Sequence, residues 1–109
     1  MEHLIQKLIE FRDQRDWKQF HNPKDLAISL VLEAGELLEN FQWKSSEQAV
    51  QEKSKSIEEE MADVFTYLLL LSNEMGIDLE KAVIDKIAKN ATKYPKSKSF
   101  GSNKKYTDL

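Results

Sequence analysis

Apolar residues recur every three or four positions along most of the chain, which is the spacing of an amphipathic helix rather than of a strand. Leu4, Leu8 and Phe11 begin the pattern and predict a first helix over residues 2–15. Only three glycines and two prolines interrupt the chain, so few positions break such helices. The pattern therefore predicts an all-α fold.

The second helix is predicted over residues 23–41, where Asn22 can cap its start and Pro23 suits its first position. Residues 44–56 are polar and predict a surface connection, with room for a short helical turn. A third helix is predicted from a capping box at Ser56 and Glu59 to the region of Gly76.

A fourth helix is predicted over residues 79–92, capped by Asp78 and ended by Pro95. Residues 1–95 are thus expected to form one domain, an antiparallel bundle of about four main helices. Residues 96–109 contain four lysines and few apolar anchors, which predicts a flexible tail. The second and third helices look apolar on nearly all sides. We therefore expect oligomerisation to bury the apolar surface that a single chain leaves exposed.

Composition narrows the class of protein. The net charge is −3, which argues against a protein that coats DNA or RNA. The longest strongly apolar run, residues 64–71, is too short to cross a bilayer, and the first residues lack the pattern of a signal peptide. Without cysteine no disulfide can form. A cytoplasmic protein that does not bind membranes or nucleic acid polymers is therefore expected.

Two pairs of acidic residues are candidates for chemistry. Glu33 and Glu36 lie three positions apart in the second helix, and Glu60 and Asp63 repeat that spacing in the third. Each could be an ordinary solvated surface residue. If the two helices pack antiparallel, however, the pairs can converge, and a divalent cation would relieve their repulsion. An all-carboxylate set favours Mg²⁺, with Mn²⁺ as a substitute.

Aromatic and basic residues offer a second set of candidates. Trp17, His21 and Trp43 flank the second helix and could border a flat base, or could fill helix ends as core or oligomer contacts. Lys86 and Asn90 share one stripe of the fourth helix. They could bind a polyphosphate, or the lysine could complement the helix dipole.

Several segments together carry a family resemblance. The acidic pairs lie within Glu33-Ala-Gly-Glu36 and Glu60-Met-Ala-Asp63, and they are flanked by Asp16-Trp-Lys-Gln-Phe-His21 and Phe41-Gln-Trp-Lys44. With Lys89-Asn90 and Tyr94-Pro95, the chain resembles the all-α nucleoside triphosphate pyrophosphohydrolases of the MazG type, most of all the dCTP pyrophosphatase branch.

The resemblance implies a helical protomer that forms homodimers or homotetramers and converts a nucleoside triphosphate to a monophosphate and pyrophosphate. It implies Mg²⁺ on Glu33, Glu36, Glu60 and Asp63. A carboxylate beside the ion could take the proton of an attacking water, and our hypothesis for this general base is Glu33 or Glu36. The resemblance places Trp17, His21 and Trp43 around the base, and Tyr67, Lys86 and Asn90 near sugar or phosphates. The alternatives are a non-catalytic nucleotide-binding or protein-interaction module, and a purely structural bundle.

Overall fold

The computed structural model describes residues 1–109 and contains helices but no strand, which confirms the all-α prediction. None of its helices is both long and apolar enough to cross a membrane. The helices are α1 (Glu2–Asp13), α2 (Pro23–Glu39), α3 (Ser46–Glu74), α4 (Leu79–Lys93) and α5 (Lys96–Ser99), with 3₁₀ turns at Lys18–Phe20 and Tyr106–Asp108.

Two helices begin at the predicted caps. The side chain of Asn22 accepts a hydrogen bond from the Asp25 amide at 2.9 Å, and Pro23 occupies the first turn of α2. Asp78 does the same for α4 by accepting from the Lys81 amide at 3.1 Å. Each cap satisfies a backbone donor that has no partner inside the helix.

The predicted start of α3 is wrong by about one third of that helix. The capping box forms at Ser45 and Gln48, and the region expected to be a connection is helical. Its Glu, Gln, Ala and Lys residues favour helix, and Ala49 is fully buried, which anchors the segment. The interruption expected from the polar composition survives only as a kink at Lys53, where φ is −122° and ψ is 19°.

Contacts within the chain define two compact units, residues 1–77 and residues 78–109. In the first unit α2 packs along α3, and α1 also contacts α3. Leu26 and Tyr67 line one cavity, while Glu36 meets Glu60 further along the pair. Residue numbers therefore rise along α2 as they fall along α3, so the two helices run antiparallel.

The buried core of this unit is small. Leu26, Leu69 and Leu70 are its main side chains. By contrast, the exposed fraction is 68% for Val31 and 69% for Leu38, both on α2. The chain thus exposes apolar surface on α2, as the sequence indicated. Burial of this surface by oligomerisation stays a prediction.

The second unit contains α4 and the residues predicted to form a flexible tail. Part of that tail is helical, as α5 and the second 3₁₀ turn. The Tyr106 ring meets the Tyr94 ring edge to face at 5.9 Å, and the Lys93 ammonium lies 5.0 Å from the Tyr106 centroid. The flexibility of residues 96–109 remains a prediction.

Candidate functional site

Three carboxylates converge where α2 crosses α3. Glu33 and Glu36 lie one helical turn apart on α2, and Glu60 faces them from α3. One oxygen from each of the three carboxylates lies within 4.8 Å of the other two. No lysine or arginine forms an ion pair with any of them. The antiparallel packing therefore produces a concentration of negative charge that the protein does not neutralise.

Asp63 stands beside this group and is more exposed than Glu33 or Glu60. It is not one of the three mutually close carboxylates, but it lines the same cavity as Glu33. Its charge also raises the pKa of Glu33, of Glu60 and of Tyr67. The predicted fourth acid is thus close enough to act electrostatically on the site.

Burial and mutual repulsion disfavour the charged forms of these carboxylates. Burial, and then the Glu36 carboxyl group, raises the pKa of Glu33 from its ordinary 4.5 to about 7. Burial, with Glu36 and Asp63 following, also raises the pKa of Glu60. Glu33 Oε2 and Glu60 Oε2 are both enclosed and have no hydrogen-bond partner. Enclosed oxygens of this kind need a proton or a cation.

The raised pKa of Glu33 has a consequence for stability. The folded chain holds this proton more tightly than the unfolded chain, where the ordinary value is 4.5. The stabilising contribution is therefore present below pH 4.5 and is lost as the pH rises through about 7. We expect the melting temperature of the wild type to fall relative to that of Glu33→Gln across this window, in the presence of EDTA.

Thermal unfolding of both proteins between about pH 4 and about pH 8 measures this difference. Glu58→Gln serves as the control, because Glu58 is exposed and its carboxylate pairs with Lys55 at the surface. Identical pH dependence of the wild type and Glu33→Gln would contradict the raised pKa.

A cavity of about 220 Å³ adjoins the acidic group. It brings the predicted Trp17, His21 and Tyr67 together with Glu33 and Asp63. The cavity is formed between α1, the turn that follows it, α2 and α3. Its other lining residues are Leu8, Phe11, Arg12, Thr66 and Leu70.

The short segment between α1 and α2 positions the aromatic residues. The Trp17 amide donates to the Arg12 carbonyl at 3.1 Å, and Asp16 adopts a left-handed φ of 53° to make this turn. The Trp17 ring then meets the Phe11 ring edge to face, with centroids 5.8 Å apart. His21 follows the 3₁₀ turn and immediately precedes the cap of α2.

His21 lines this cavity, and its surroundings favour the neutral form of its ring. Burial lowers its pKa, the positive charge of Arg12 lowers it further, and Glu74 opposes the shift. Its Nδ1 atom is enclosed and has no hydrogen-bond partner. The neutral imidazole keeps both a donor and an acceptor, so it can read a polar group on a ligand.

The remaining predicted site residues are exposed. Trp43, in the connection between α2 and α3, is 92% exposed and does not line the cavity. Lys86 and Asn90 are exposed on α4, one helical turn apart in the second unit. Their proposed roles therefore rest on the sequence.

Sequence reasoning missed Arg12 as a lining residue. The sequence contained a signal for this residue. Arg12 follows Leu8 by four positions, so a charged side chain occupies a position on the apolar stripe of α1. Phe11 also lines the cavity, although the sequence pattern predicts for it only a place on the apolar stripe of the first helix.

Comparisons with known proteins identify the family. Residues 28–109 match the MazG-like family. The chain is 48% identical to dCTP pyrophosphatase 1 of Rattus norvegicus and 39% identical to that of Homo sapiens, over 105 residues that cover 92% of this chain. It spans 62% of the length of each of these curated relatives.

A solved structure shares the fold of this chain. The crystal structure of a pyrophosphatase from Archaeoglobus fulgidus matches with a TM-score of 0.83 and 45% sequence identity. The match covers 87% of this chain and 92% of that one. The family match, the identities and the shared fold confirm the resemblance seen in the sequence segments. This chain belongs to the MazG-like family.

Proposed function

We propose that this chain is a Mg²⁺-dependent nucleoside triphosphate pyrophosphohydrolase. It converts dCTP, or a modified or non-canonical nucleotide, to the monophosphate and pyrophosphate, and so removes unwanted nucleotides from the pool. The observation that carries the proposal is the three-carboxylate group beside a cavity lined by Trp17, His21 and Tyr67. The similarity to dCTP pyrophosphatase 1 and to a pyrophosphatase of solved structure supports the choice of nucleotide and reaction.

The donor set fits a divalent cation. All candidate ligands are carboxylate oxygens, which Mg²⁺ and Mn²⁺ prefer, whereas zinc sites are usually built with histidine or cysteine. The enclosed and unpartnered Glu33 Oε2 and Glu60 Oε2 are the atoms that most need a positive partner. Glu33, Glu36, Glu60 and Asp63 would hold the ion.

When bound, the cation neutralises phosphate charge and makes the α-phosphorus more electrophilic. The protein's own contribution is a base placed beside it. We assign this role to Glu33 or Glu36, which would take the proton of an attacking water. The water oxygen bonds to the α-phosphorus, the bond from that phosphorus to the bridging oxygen breaks, and pyrophosphate leaves.

The aromatic part of the cavity would hold the base. Trp17 offers a flat face for stacking, His21 a neutral hydrogen-bonding edge, and Tyr67 a hydroxyl near the acidic group. Trp43 beside the base, and Lys86 and Asn90 at sugar or phosphate, complete the proposed contacts on the strength of the family resemblance.

We also propose that the chain works as a homodimer or homotetramer. The exposed apolar residues of α2, with Leu32 at 65% and Val31 at 68% exposure, support this. Burying such a surface against a second copy would add hydrophobic stabilisation.

The function is tested with a panel of canonical and modified dNTPs in the presence of Mg²⁺, Mn²⁺ or EDTA. We expect equal amounts of monophosphate and pyrophosphate with either metal ion, none with EDTA, and loss of product in Asp63→Asn. Release of single phosphate would contradict the proposed bond cleavage. If no nucleotide is hydrolysed while dNTPs still raise the melting temperature, the chain is a binding module instead.

A further inference from the structure

Arg12 is a buried cation that the proposed function has not used. The residue is only 5% exposed and lies in the last turn of α1. Its side chain makes one hydrogen bond, from Nε to Asp13 Oδ1 at 2.9 Å. The two terminal nitrogens donate to no protein acceptor. A guanidinium has five donor hydrogens, so most of its hydrogen-bonding capacity is free.

The surroundings of Arg12 do not account for its charge. Its partner Asp13 is the next residue in the chain, and the Asp13 side chain is 52% exposed. Glu33 and Asp63 line the same cavity as Arg12, yet neither forms an ion pair with it. A buried charge is costly unless it is paired and fully hydrogen-bonded. The terminal nitrogens of Arg12 retain some solvent access, so they are available to acceptors of a ligand in the cavity.

Arg12 belongs to the aromatic end of the cavity. Its charge contributes to the lowered pKa of His21, so the two groups lie close together. Arg12 is also the only side chain of fixed positive charge that lines the cavity. Its place near His21 puts it within reach of a base held in this cavity.

The shape of the guanidinium limits which base it can bind well. Two parallel N–H groups require two neighbouring acceptors in one plane. Cytosine offers this pair at N3 and O2, whereas in thymine and uracil N3 carries a hydrogen and would face a donor with a donor. We infer that Arg12 is a specificity-determining residue that binds N3 and O2 of a cytosine base. The inference deepens the proposed function and rests on the cavity being its base pocket.

Binding of nucleoside monophosphates tests this without requiring turnover. Calorimetry with dCMP, dTMP and dGMP in the presence of Mg²⁺ compares the wild type with Arg12→Met. This variant keeps the apolar part of the side chain and removes the fork, which is the pair of parallel N–H donors of the guanidinium. We expect the wild type to prefer dCMP, and the variant to lose about 5- to 150-fold in dCMP affinity, as for one bidentate base contact. Its dTMP affinity should change little.

Two further variants separate recognition from charge and from folding. Arg12→Lys keeps the charge without the fork, so it should also lose the preference for dCMP. Lys7→Met removes a charge from an exposed position of the same helix and should leave all three affinities unchanged. Circular dichroism checks the fold, and Arg12→Lys carries the test if Arg12→Met does not fold.

Three results would overturn the inference. Equal weakening of dCMP and dTMP would place Arg12 at the sugar or phosphate. Tighter binding of dGMP than of dCMP in the wild type would indicate that the fork reads N7 and O6 of guanine. A dCMP preference that Arg12→Met retains would assign Arg12 a structural role. If the wild type prefers dCMP through Arg12 but hydrolyses no triphosphate, the inference holds and the proposed activity fails.

Discussion

Glu60→Gln is expected to lower kcat/KM for metal-dependent dCTP hydrolysis by about 10²- to 10³-fold, because it removes one charged oxygen ligand from the group that holds the cation. Glutamine nearly preserves the size of the side chain, so the fold should be retained. The effect should be measured at saturating Mg²⁺, which separates weaker ion binding from slower chemistry.

The same substitution should have the opposite effect on stability in EDTA. Glu60 lies close to Glu33 and Glu36. Its charged form is disfavoured by burial and by the charges of Glu36 and Asp63. Removing its charge should therefore raise the melting temperature of the metal-free protein near neutral pH, while the further rise on adding Mg²⁺ should shrink. A variant that is inactive because it is misfolded would instead melt at a lower temperature.

Glu58→Gln is the matched control for this experiment. Glu58 lies on the same helix and carries the same charge, but its carboxylate pairs with the Lys55 ammonium at 2.8 Å on the surface. Surface pairs of this kind contribute little to stability. We expect turnover within twofold of the wild type. Full activity in Glu60→Gln would remove Glu60 from the proposed ion site.

Trp17→Ala is expected to raise KM for dCTP by about 5- to 150-fold, with a smaller change in kcat, because base stacking on an aromatic ring contributes about 1–3 kcal/mol. Trp17 lines the cavity beside His21 and Tyr67 and is still 45% exposed, so its ring face can receive a base. Steady-state kinetics with dCTP at saturating Mg²⁺ measure the effect.

Two variants of the same segment show whether the loss comes from stacking. Trp17→Phe keeps an aromatic face and should recover most of the affinity. Lys18→Ala changes the adjacent exposed residue, which does not line the cavity, and should leave KM within twofold. A KM for Trp17→Ala close to that of the wild type would show that the base does not stack on this ring.

The helical elements were largely predictable because their signals are local. Asn22 and Asp78 cap α2 and α4 as expected, since an N-cap depends only on residues within one turn of it. The start of α3 was not predictable in this way. Ser45 with Gln48 and Ser56 with Glu59 carry equivalent capping signatures. Burial of Ala49, which depends on packing, accompanies a helix that begins at the earlier one.

The sequence by itself determined which acids share a helix face, because the spacing of Glu33 from Glu36 and of Glu60 from Asp63 fixes this through helix geometry alone. It also indicated the family, which the comparisons confirm. Only the tertiary structure decided that Glu33, Glu36 and Glu60 form the close group while Asp63 stands at its edge. It likewise enclosed Arg12 beside the aromatic residues. These outcomes depend on how α1 and α2 pack on α3, and local residue spacing carries no information about the register between helices.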